Sequence, residues 1–473
     1  SRAHRRPTPS RSPMSLTAAI PEGFVSLMAS IGLEELPETL AKGVPEVSVR
    51  LNLAKSPEPP AGGEPVPWCP EGYYLPERPR FTLDPRLHQG LYYVQEGASM
   101  FHALAASHLV SAIGRPVRVL DSCAAPGGKT TAVMSRLPEG SFTVANEIIP
   151  ARAAVLRENL LKWGDPSVMV TRADTAVFGG LGETFDIIIA DVPCSGEGMM
   201  RKDPDAAAQW SPGLVEECAA LQRRIVANIW PSLRPGGFLV YSTCTFNRSE
   251  DEENVAWIAR EFGAEGVEIP VDPSWGIAPG IDTAYPCRRF IPGRTRGEGL
   301  FVAVLRKPGT LPSAVSVPHK EKKQKQKKGQ KGPAVDISSL SAHLLNPERF
   351  TISATEERVT AFPAAHLDLL HRISGVADVI HEGIPLAAVK GRDLIPAHAL
   401  ALSTALAPDT YPRVELSEEQ ALDYLRGTLA SLPDGTPRGH VLVTFGGRPL
   451  GWMKNLGSRA NNLYPNQFRI KKL

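Results

Sequence analysis

Between about residue 90 and residue 308, short runs of aliphatic residues alternate with longer stretches that carry a helical pattern. The runs predict strands at 117–121, 142–146, 168–170, 185–190, 238–241 and 301–305. The stretches between them predict helices at about 130–136, 150–163, 212–233 and 249–262. Strands and helices that alternate at this spacing form a mainly parallel sheet with helices on both faces. We therefore predict a doubly wound α/β fold, which binds ligands at the carboxyl ends of its strands.

The chain has 473 residues, which is more than one ordinary domain needs. Breaks in pattern and composition predict an N-terminal α/β extension, a catalytic domain, a lysine-rich linker and a C-terminal unit. Their expected bounds are 14–90, 91–308, 309–335 and 336–473. Residues 1–13 are basic and lack the apolar core of a secretory signal, and Met14 is a candidate start.

Composition narrows the class of protein. Hydrophobic residues make up 42% of the chain and charged residues 22%, and the net charge is only +2. No apolar run reaches the roughly 18 residues that a membrane helix needs, so we expect no membrane partner. The six cysteines form no C-x-x-C pair, which predicts reduced thiols in the cytoplasm and no metal site.

A glycine-containing turn lies between the first predicted strand and the helix that follows it. It reads Asp121-Ser-Cys-Ala-Ala-Pro-Gly-Gly-Lys-Thr130, and its paired glycines let the backbone approach a ligand closely. Neither the dinucleotide fingerprint nor the Walker phosphate loop is present in it. A bare strand-to-helix turn without a ligand would explain this turn equally well if it stood alone.

Acidic residues end the next two strands. Glu147 follows the second strand and could accept hydrogen bonds from the ribose hydroxyls of an adenosyl cofactor. Asp174 follows the third strand and could meet the adenine amino group. Three consecutive strand ends of this kind predict a cofactor cleft.

Two cysteines follow neighbouring strands of the same sheet. Cys194 lies in Asp191-Val-Pro-Cys-Ser195, and Cys244 lies in Ser242-Thr-Cys-Thr245. A single buried cysteine is usually a small apolar core residue, but two at one cleft favour catalysis. A thiolate that adds to carbon 6 of cytosine makes carbon 5 nucleophilic enough to accept a methyl group. Asp191 is a candidate for stabilising the adduct at the ring nitrogen, and the sequence alone does not say which cysteine attacks.

Taken together, these motifs resemble the Nop/Sun family of RNA cytosine-5 methyltransferases over about residues 45–308. The resemblance extends to Val49-Arg-Leu-Asn52, Tyr93-Val-Gln-Glu96 and Asn146-Glu147. The segment 196–204 and Asn461-Asn-Leu-Tyr-Pro465 are similar to the F type of the bacterial small-subunit ribosomal enzymes. Gly97-Ala98 and Gly293 depart from the pattern of that family, and both lie outside the cofactor loop and the cysteine motifs.

The resemblance implies a Rossmann-like, S-adenosylmethionine-dependent methyltransferase sheet, with an N-terminal RNA-recognition-like extension over 14–90 and a C-terminal PUA-like α+β RNA-binding domain. It implies that Cys244 is the nucleophile and that Cys194 helps release the product. It also implies a set of cofactor contacts, which comprises Cys123, Ala124, Ala125, Pro126, Gly127, Gly128, Lys129, Glu147, Asp174 and Asp191. The expected substrate is 16S ribosomal RNA and the expected state is a monomer. The alternatives are a transfer RNA methyltransferase and an inactive RNA-binding assembly factor.

Two further segments suggest RNA contacts. Residues 320–331 contain seven lysines, which favours a solvated tether or an arm that meets phosphates. Near the C-terminus, basic residues alternate with Trp452, Tyr464 and Phe468, a pattern that suits backbone contact and base stacking. Ordinary surface lysines on a small β domain would give the same pattern.

Overall fold

The computed structural model describes residues 20–316 and 336–471. The elements of its N-terminal part are α1 (Glu22–Ser30), α2 (Leu36–Lys42), β1 (Val47–Leu51), β2 (Glu64–Val66), β3 (Cys69–Leu75), α3 (Pro85–His88) and β4 (Tyr92–Val94). The four strands form a small antiparallel sheet in the order β2-β3-β1-β4.

The middle of the chain supplies most of the large sheet. Its helices are α4 (Phe101–Ile113), α5 (Gly128–Met134), α6 (Pro150–Trp163), α7 (Ala176–Gly179), α8 (Pro204–Gln209), α9 (Pro212–Ile229) and α10 (Glu252–Phe262). Its strands are β5 (Arg118–Asp121), β6 (Phe142–Asn146), β7 (Val168–Arg172), β8 (Phe185–Asp191), β9 (Leu233–Thr243), β10 (Glu265–Val267), β11 (Ala278–Pro279), β12 (Arg288–Phe290) and β13 (Leu300–Arg306).

The strand order of this sheet places the cleft. Five parallel strands run in the order β9-β8-β5-β6-β7, and β13 pairs antiparallel with β9. The chain order therefore reverses between β5 and β8, and such a reversal opens a crevice at the carboxyl ends of the two strands. Leu120 and Ile188 are buried on one face, and Val119 and Ile187 on the other. The sheet is covered on both faces, as parallel sheets require.

The C-terminal part contributes a strand to the same sheet. Strand β16 (Asp378–Glu382) pairs antiparallel with β7 at the sheet edge, and α11 (Leu367–Ser374) packs Leu369 and Ile373 into the sheet's core. The buried guanidinium of Arg118, at the start of β5, donates to Asp368 at 2.8 Å. The division at residue 336 therefore remains a proposal, because the segment around 362–382 shares a core with the catalytic sheet.

The remaining strands of the C-terminal part are β14 (Phe350–Ala354), β15 (Arg358–Pro363), β17 (Ile384–Lys390), β18 (Asp393–Pro396), β19 (Arg413–Glu415), β20 (Gly439–Phe445), β21 (Arg448–Asn455) and β22 (Ala460–Asn462). They form two sheets, an antiparallel one in the order β14-β15-β17-β18 and a mixed one in the order β19-β20-β21-β22. The helices are α12 (His398–Leu402) and α13 (Glu418–Arg426).

One local prediction needs correction. Trp452 and Tyr464 are 1% and 2% exposed, so they build the C-terminal core and cannot stack on RNA bases. The lysine-rich segment lies outside the described residues.

Candidate active site

The crevice is lined by two carboxylates at the ends of neighbouring parallel strands. Asp121 is the last residue of β5 and Asp191 the last of β8. Asp121 is buried, accepts a hydrogen bond from Thr130 Oγ1 at 2.7 Å, and leaves its Oδ1 atom without a partner among the described residues. Burial raises the pKa of Asp121 to about 7, although the Thr130 hydrogen bond opposes the rise.

The glycine loop after β5 has the shape of a ligand cradle. Gly127 has φ of +113°, a conformation that favours glycine, and it caps the start of α5. A side chain on Gly128 would lie 3.0 Å from the Tyr93 ring. Ala124 donates its N–H to Asn146 at 2.8 Å, so the loop is also tied to the end of β6. Both glycines are therefore required by the local geometry.

Side chains from α6 hold the outer edge of the loop. Arg152 donates to the carbonyl oxygen of Ala125 at 3.0 Å, and Asn159 donates to that of Pro126 at 2.8 Å. Cys123 is half-buried, and burial raises the pKa of its thiol to about 12. It is therefore a neutral side chain in the wall of the loop.

A buried arginine supports the loop from beneath, which sequence reasoning missed. Arg50 of β1 donates to the Gly128 carbonyl at 2.9 Å, to Thr131 Oγ1 at 2.5 Å and to Gln95 Oε1 at 2.8 Å. Its guanidinium also lies 4.9 Å from the ring centre of Trp163. Burial lowers the pKa of Arg50 to about 10, so it stays charged at neutral pH. Arg50 lies in the V-R-L-N motif, which was the available signal.

The two predicted adenosyl contacts differ in burial. Glu147 is 4% exposed, and one of its oxygens accepts the N–H of Ile149 at 3.1 Å. Its other oxygen lies 3.9 Å from Arg152. Asp174 is exposed and accepts the N–H of Ala176 at 2.9 Å, which caps the start of α7. Glu147 is therefore a buried side chain, whereas Asp174 is open to solvent and caps a helix.

The two cysteines lie side by side. Cys194 follows β8, Cys244 follows β9, and their sulfur atoms are 2.8 Å apart with both thiols free. The hydrogen bond to Cys244, together with burial, raises the pKa of Cys194 well above its ordinary value. Cys194 is therefore a protonated thiol that can donate to the Cys244 sulfur.

Asp191 is the centre of a polar chain beside these thiols. Lys129 Nζ donates to its Oδ2 atom at 2.8 Å, and Ser242 Oγ donates to its Oδ1 atom at 2.8 Å. His102 Nε2 lies 3.1 Å from the Ser242 oxygen, so its N–H completes the chain. Burial alone would raise the pKa of Asp191, but Lys129 and its other partners hold it below its ordinary value. Asp191 is therefore an ionised carboxylate, stabilised by the ammonium of Lys129.

Two buried glutamates fix the loops that carry the cysteines. Glu250 accepts hydrogen bonds from the N–H and the hydroxyl of Ser195 at 2.9 Å and 2.5 Å. It also accepts from Gln222 at 2.9 Å and from Asn247. Glu250 therefore links the loop after β8 to the loop after β9.

Glu197 makes the second link between the same loops. It accepts the backbone N–H groups of Phe246 and Asn247 at 2.8 Å and 3.0 Å, and the indole N–H of Trp210 at 2.9 Å. Gly198 adds a backbone bond to the Cys244 carbonyl at 2.7 Å. No periodicity in the sequence marks these glutamates as buried, which is why they were missed.

The crevice fits an adenosyl methyl donor. A side chain at Gly128 would crowd Tyr93 and Gln95, Asp121 offers a buried oxygen without a partner among the described residues, and Glu147 is buried with few hydrogen-bond partners. Among the described residues, no group of three or more His, Cys, Asp or Glu side chains is arranged to hold a metal. Within the same ranges, no helix is both long and apolar enough to cross a membrane.

The doubly wound sheet, its antiparallel strand β13, the glycine loop and the acids at the strand ends define a methyltransferase of the Rossmann-like class. Three family descriptions match the chain in order. They are the N-terminal domain of 16S rRNA methyltransferase RsmF over residues 20–97, the 16S rRNA methyltransferase RsmB/F over 114–306 and the methyltransferase RsmF PUA domain over 411–470.

Relatives of known name cover most of the chain. Ribosomal RNA small subunit methyltransferase F of Salmonella agona is 36% identical over 414 residues, which is 85% of this chain and 84% of the relative. Its counterpart from Escherichia fergusonii is 34% identical over 414 residues, with the same coverage. The chain therefore belongs to the ribosomal RNA small subunit methyltransferase F family. The predicted resemblance and the predicted fold class are both confirmed.

Solved structures share the fold. A methyltransferase homologue from Pyrococcus horikoshii has a TM-score of 0.51 and 24% identity, and covers 63% of this chain and all of its own. NSun6 from Pyrococcus horikoshii with SFG has a TM-score of 0.51 and 20% identity, and covers 63% of this chain and 99% of its own.

Proposed function

We propose that this protein transfers a methyl group from S-adenosylmethionine to carbon 5 of a cytosine in 16S ribosomal RNA, through a covalent cysteine adduct. The observation that carries the proposal is the 2.8 Å separation of the Cys194 and Cys244 sulfurs beside the carboxylate of Asp191. The relatives are named for small-subunit ribosomal RNA, which favours that substrate over transfer RNA. An inactive assembly factor would have no need to keep both thiols.

Cys244 is the proposed nucleophile. Its sulfur adds to carbon 6 of the ring, and the electron pair of the carbon 5–carbon 6 double bond becomes available at carbon 5. The thiol of Cys194 lies within hydrogen-bonding distance of that sulfur, and a thiol that stays protonated because its pKa is raised is a weak nucleophile. This arrangement supports Cys244 rather than Cys194 as the attacking group.

The carboxylate of Asp191 stabilises the adduct. Lys129 keeps Asp191 ionised, so Asp191 acts as a hydrogen-bond acceptor and not as a proton donor. As an acceptor, Asp191 stabilises a protonated ring nitrogen or the exocyclic amino group of cytosine. In this proposal the ring nitrogen takes up the proton that the Cys244 thiol loses on addition, so the step balances.

Cys194 is proposed to remove the carbon 5 proton after methyl transfer. The contact with Cys244 is the largest cause of the high pKa of Cys194. That cause disappears once the Cys244 sulfur is bound to carbon 6, because a thioether has neither a thiol proton nor a thiolate charge. Cys194 then loses its own proton to solvent, and the resulting thiolate accepts the carbon 5 proton. Loss of the proton restores the double bond and breaks the sulfur–carbon 6 bond, which frees Cys244.

The methyl donor supplies an electrophilic methyl group when it is bound. The segment Cys123–Lys129 would hold its methionine part, Glu147 its ribose, and Asp174 its adenine amino group. Asp191 is the contact shared by the donor and the base. Lys129 contributes mainly by keeping Asp191 ionised.

The test uses the full chain, unmodified 16S RNA as naked transcript or as small subunits, and S-adenosylmethionine. Bisulfite sequencing should report one protected cytosine with the wild-type protein and none with Cys244→Ala. The Cys244→Ala variant should still bind S-adenosylmethionine. Protection of the same cytosine by Cys244→Ala, or methylation of an adenine instead, would contradict the proposal.

A further inference from the structure

A second cavity lies away from the thiols, between the N-terminal sheet and the C-terminal unit. Its volume is about 220 Å³, and its walls include Lys55, Gln89, Tyr411, Arg413 and Arg448. We propose that this cavity binds one unpaired nucleotide of the RNA, with preference for a base that carries an exocyclic amino group. The inference rests on RNA being the substrate of the proposed function.

The position of the cavity separates it from the catalytic crevice. Lys55 Nζ donates to the carbonyl oxygen of Gln89 at 2.8 Å. It also donates, at 2.8 Å, to the carbonyl oxygen of Lys162, which lies at the C-terminal end of α6. The N-terminal end of α6 follows Glu147 at the crevice. A helix of 14 residues is about 21 Å long. One RNA strand can therefore reach both places, while one base cannot.

The size and lining of the cavity suit a flat ring. Most of the walls are apolar, with Leu91, Leu406 and Leu442 among them, and Ala54 and Ala401 leave the space open because their side chains are small. Pockets for drug-sized ligands are larger, roughly 300–1,000 Å³. The apolar walls can cover the faces of a single base, in the way that aromatic and apolar side chains hold unstacked bases.

A buried hydrogen-bond acceptor gives the cavity its specificity. Gln89 is 1% exposed, and its side-chain N–H groups donate to the carbonyl oxygens of Phe445 and Arg448 at 2.9 Å and 2.8 Å. Those two bonds fix the orientation of the amide, and its Oε1 atom has no partner in the described part of the chain. Buried polar atoms are normally paired. An exocyclic amino group of adenine, cytosine or guanine would pair with it, whereas uracil has none to offer.

The charges around the cavity suit a phosphodiester. Arg413 and Arg448 line it against a single acid, Asp409. Within residues 20–316 and 336–471, neither arginine makes an ion pair. Arg448 donates to the carbonyl oxygens of Lys55 and Ser56, and Arg413 to that of Gly447 at 3.2 Å. Their positive charges are therefore not neutralised by protein carboxylates.

The first test fills the cavity without changing its charge. Ala54→Trp places an indole at the rim, and Leu53→Trp places the same group on the same turn at a side chain that is 62% exposed and does not line the cavity. Affinity for a 16S RNA transcript should fall about tenfold in Ala54→Trp, the loss of about one base contact, and stay within about twofold in Leu53→Trp. Equal affinity for all three proteins would overturn the proposal.

The second test needs no variant. Ultraviolet cross-linking of the wild-type protein to the transcript, followed by mass spectrometry, should find a nucleotide adduct on the tryptic peptide that spans 393–413. The adduct should be adenine, cytosine or guanine. A cross-link map that contains the catalytic crevice but lacks this peptide would mean that the cavity is only a gap between packed units.

The two proposals can fail separately. Cys244→Ala should lose methyl transfer and keep the cross-link at 393–413, because the cavity does not involve the thiols. If the wild-type protein methylates the RNA and the cavity tests fail, only the cavity proposal is wrong. If it binds through the cavity and never methylates cytosine, only the proposed function is wrong.

Discussion

The ammonium of Lys129 and the carboxylate of Asp191 lie 2.8 Å apart and join the glycine loop to the strand that precedes Cys194. The side chains are 20% and 24% exposed, so the pair is only partly open to solvent. Lys129 comes from the loop that the sequence assigned to the cofactor, and Asp191 from the loop assigned to the base. The pair is therefore the point at which the two halves of the site meet.

Replacing Lys129 by glutamine should impair catalysis in a pH-dependent way. Without the ammonium, burial raises the pKa of Asp191 instead of being opposed, so the carboxylate protonates at a higher pH. We expect kcat/KM to fall by on the order of 10–100-fold and its acidic limb to move to higher pH. Rates measured across the pH range, with Lys162→Gln as a control of equal charge change, provide the check. An unshifted acidic limb would remove Lys129 as the group that keeps Asp191 ionised.

Replacing Cys194 by alanine should trap the RNA adduct. The variant keeps Cys244 for attack but lacks the group that removes the carbon 5 proton, so the sulfur–carbon bond persists. A denaturing gel of the variant with 16S RNA and S-adenosylmethionine should show a band of lower mobility. The Cys194→Ala, Cys244→Ala double variant is the matched control and should show none. A band in the double variant would mean that another residue forms the bond.

Replacing Glu250 by glutamine should weaken the positioning of Cys194 and Cys244 and also lower the stability of the fold. Glu250 accepts from donors on both cysteine loops, and an amide would turn N–H groups toward those donors. Leaving buried donors unpaired costs about 1–3 kcal/mol each, so the free energy of unfolding should fall by at least that amount. Urea denaturation measures the loss, and Glu253→Gln, at an exposed site nearby, should leave it unchanged.

For this variant, stability and chemistry can be separated. At a temperature where the Glu250→Gln variant is folded, adduct formation by Cys244 should still be slower than in the wild type, because the loop bearing Cys194 is no longer tied to the loop after β9. Normal adduct kinetics in a folded variant would limit Glu250 to a structural role.

The sequence predicted the parts of the site that regular strands position. Asp191, Cys194 and Cys244 all follow predicted strands, and the parallel sheet brings the ends of those strands to one edge. The buried residues that support the site could not be predicted from the sequence. The buried state of Glu250 depends on contacts between loops, which leave no periodic signal.

The C-terminal part shows the same limit. The sequence indicated strands there but could not indicate that β16 pairs with β7, because sheet pairing over more than 200 residues depends on tertiary packing. Trp452 was misread for a similar reason. A tryptophan among basic residues has the composition of an RNA-binding surface, yet its indole donates to the Ala397 carbonyl at 2.8 Å inside a core.

Because β16 completes the catalytic sheet, deleting residues 336–473 is a poor test of RNA binding, and we expect it to destabilise the whole protein. The contact between Arg118 and Asp368 offers a gentler probe. Asp368→Asn removes the charge that pairs with a guanidinium that is 1% exposed. The free energy of unfolding at neutral pH should fall by about 1–3 kcal/mol, the usual worth of hydrogen bonds to charged groups.

The effect of Asp368→Asn should vanish in acid. Burial raises the pKa of Asp368, but Arg118 outweighs burial and holds it below its ordinary value. A carboxylate with a lowered pKa stabilises the fold above its unfolded pKa, about 3.9, and this contribution is lost as the pH falls through the folded value. Denaturation curves of the wild type and the variant should therefore differ from pH 7 down to about pH 4, and converge as the pH falls further through the folded pKa of Asp368. A difference that persists unchanged well below about pH 4 would mean that the contact does not depend on the charge of Asp368.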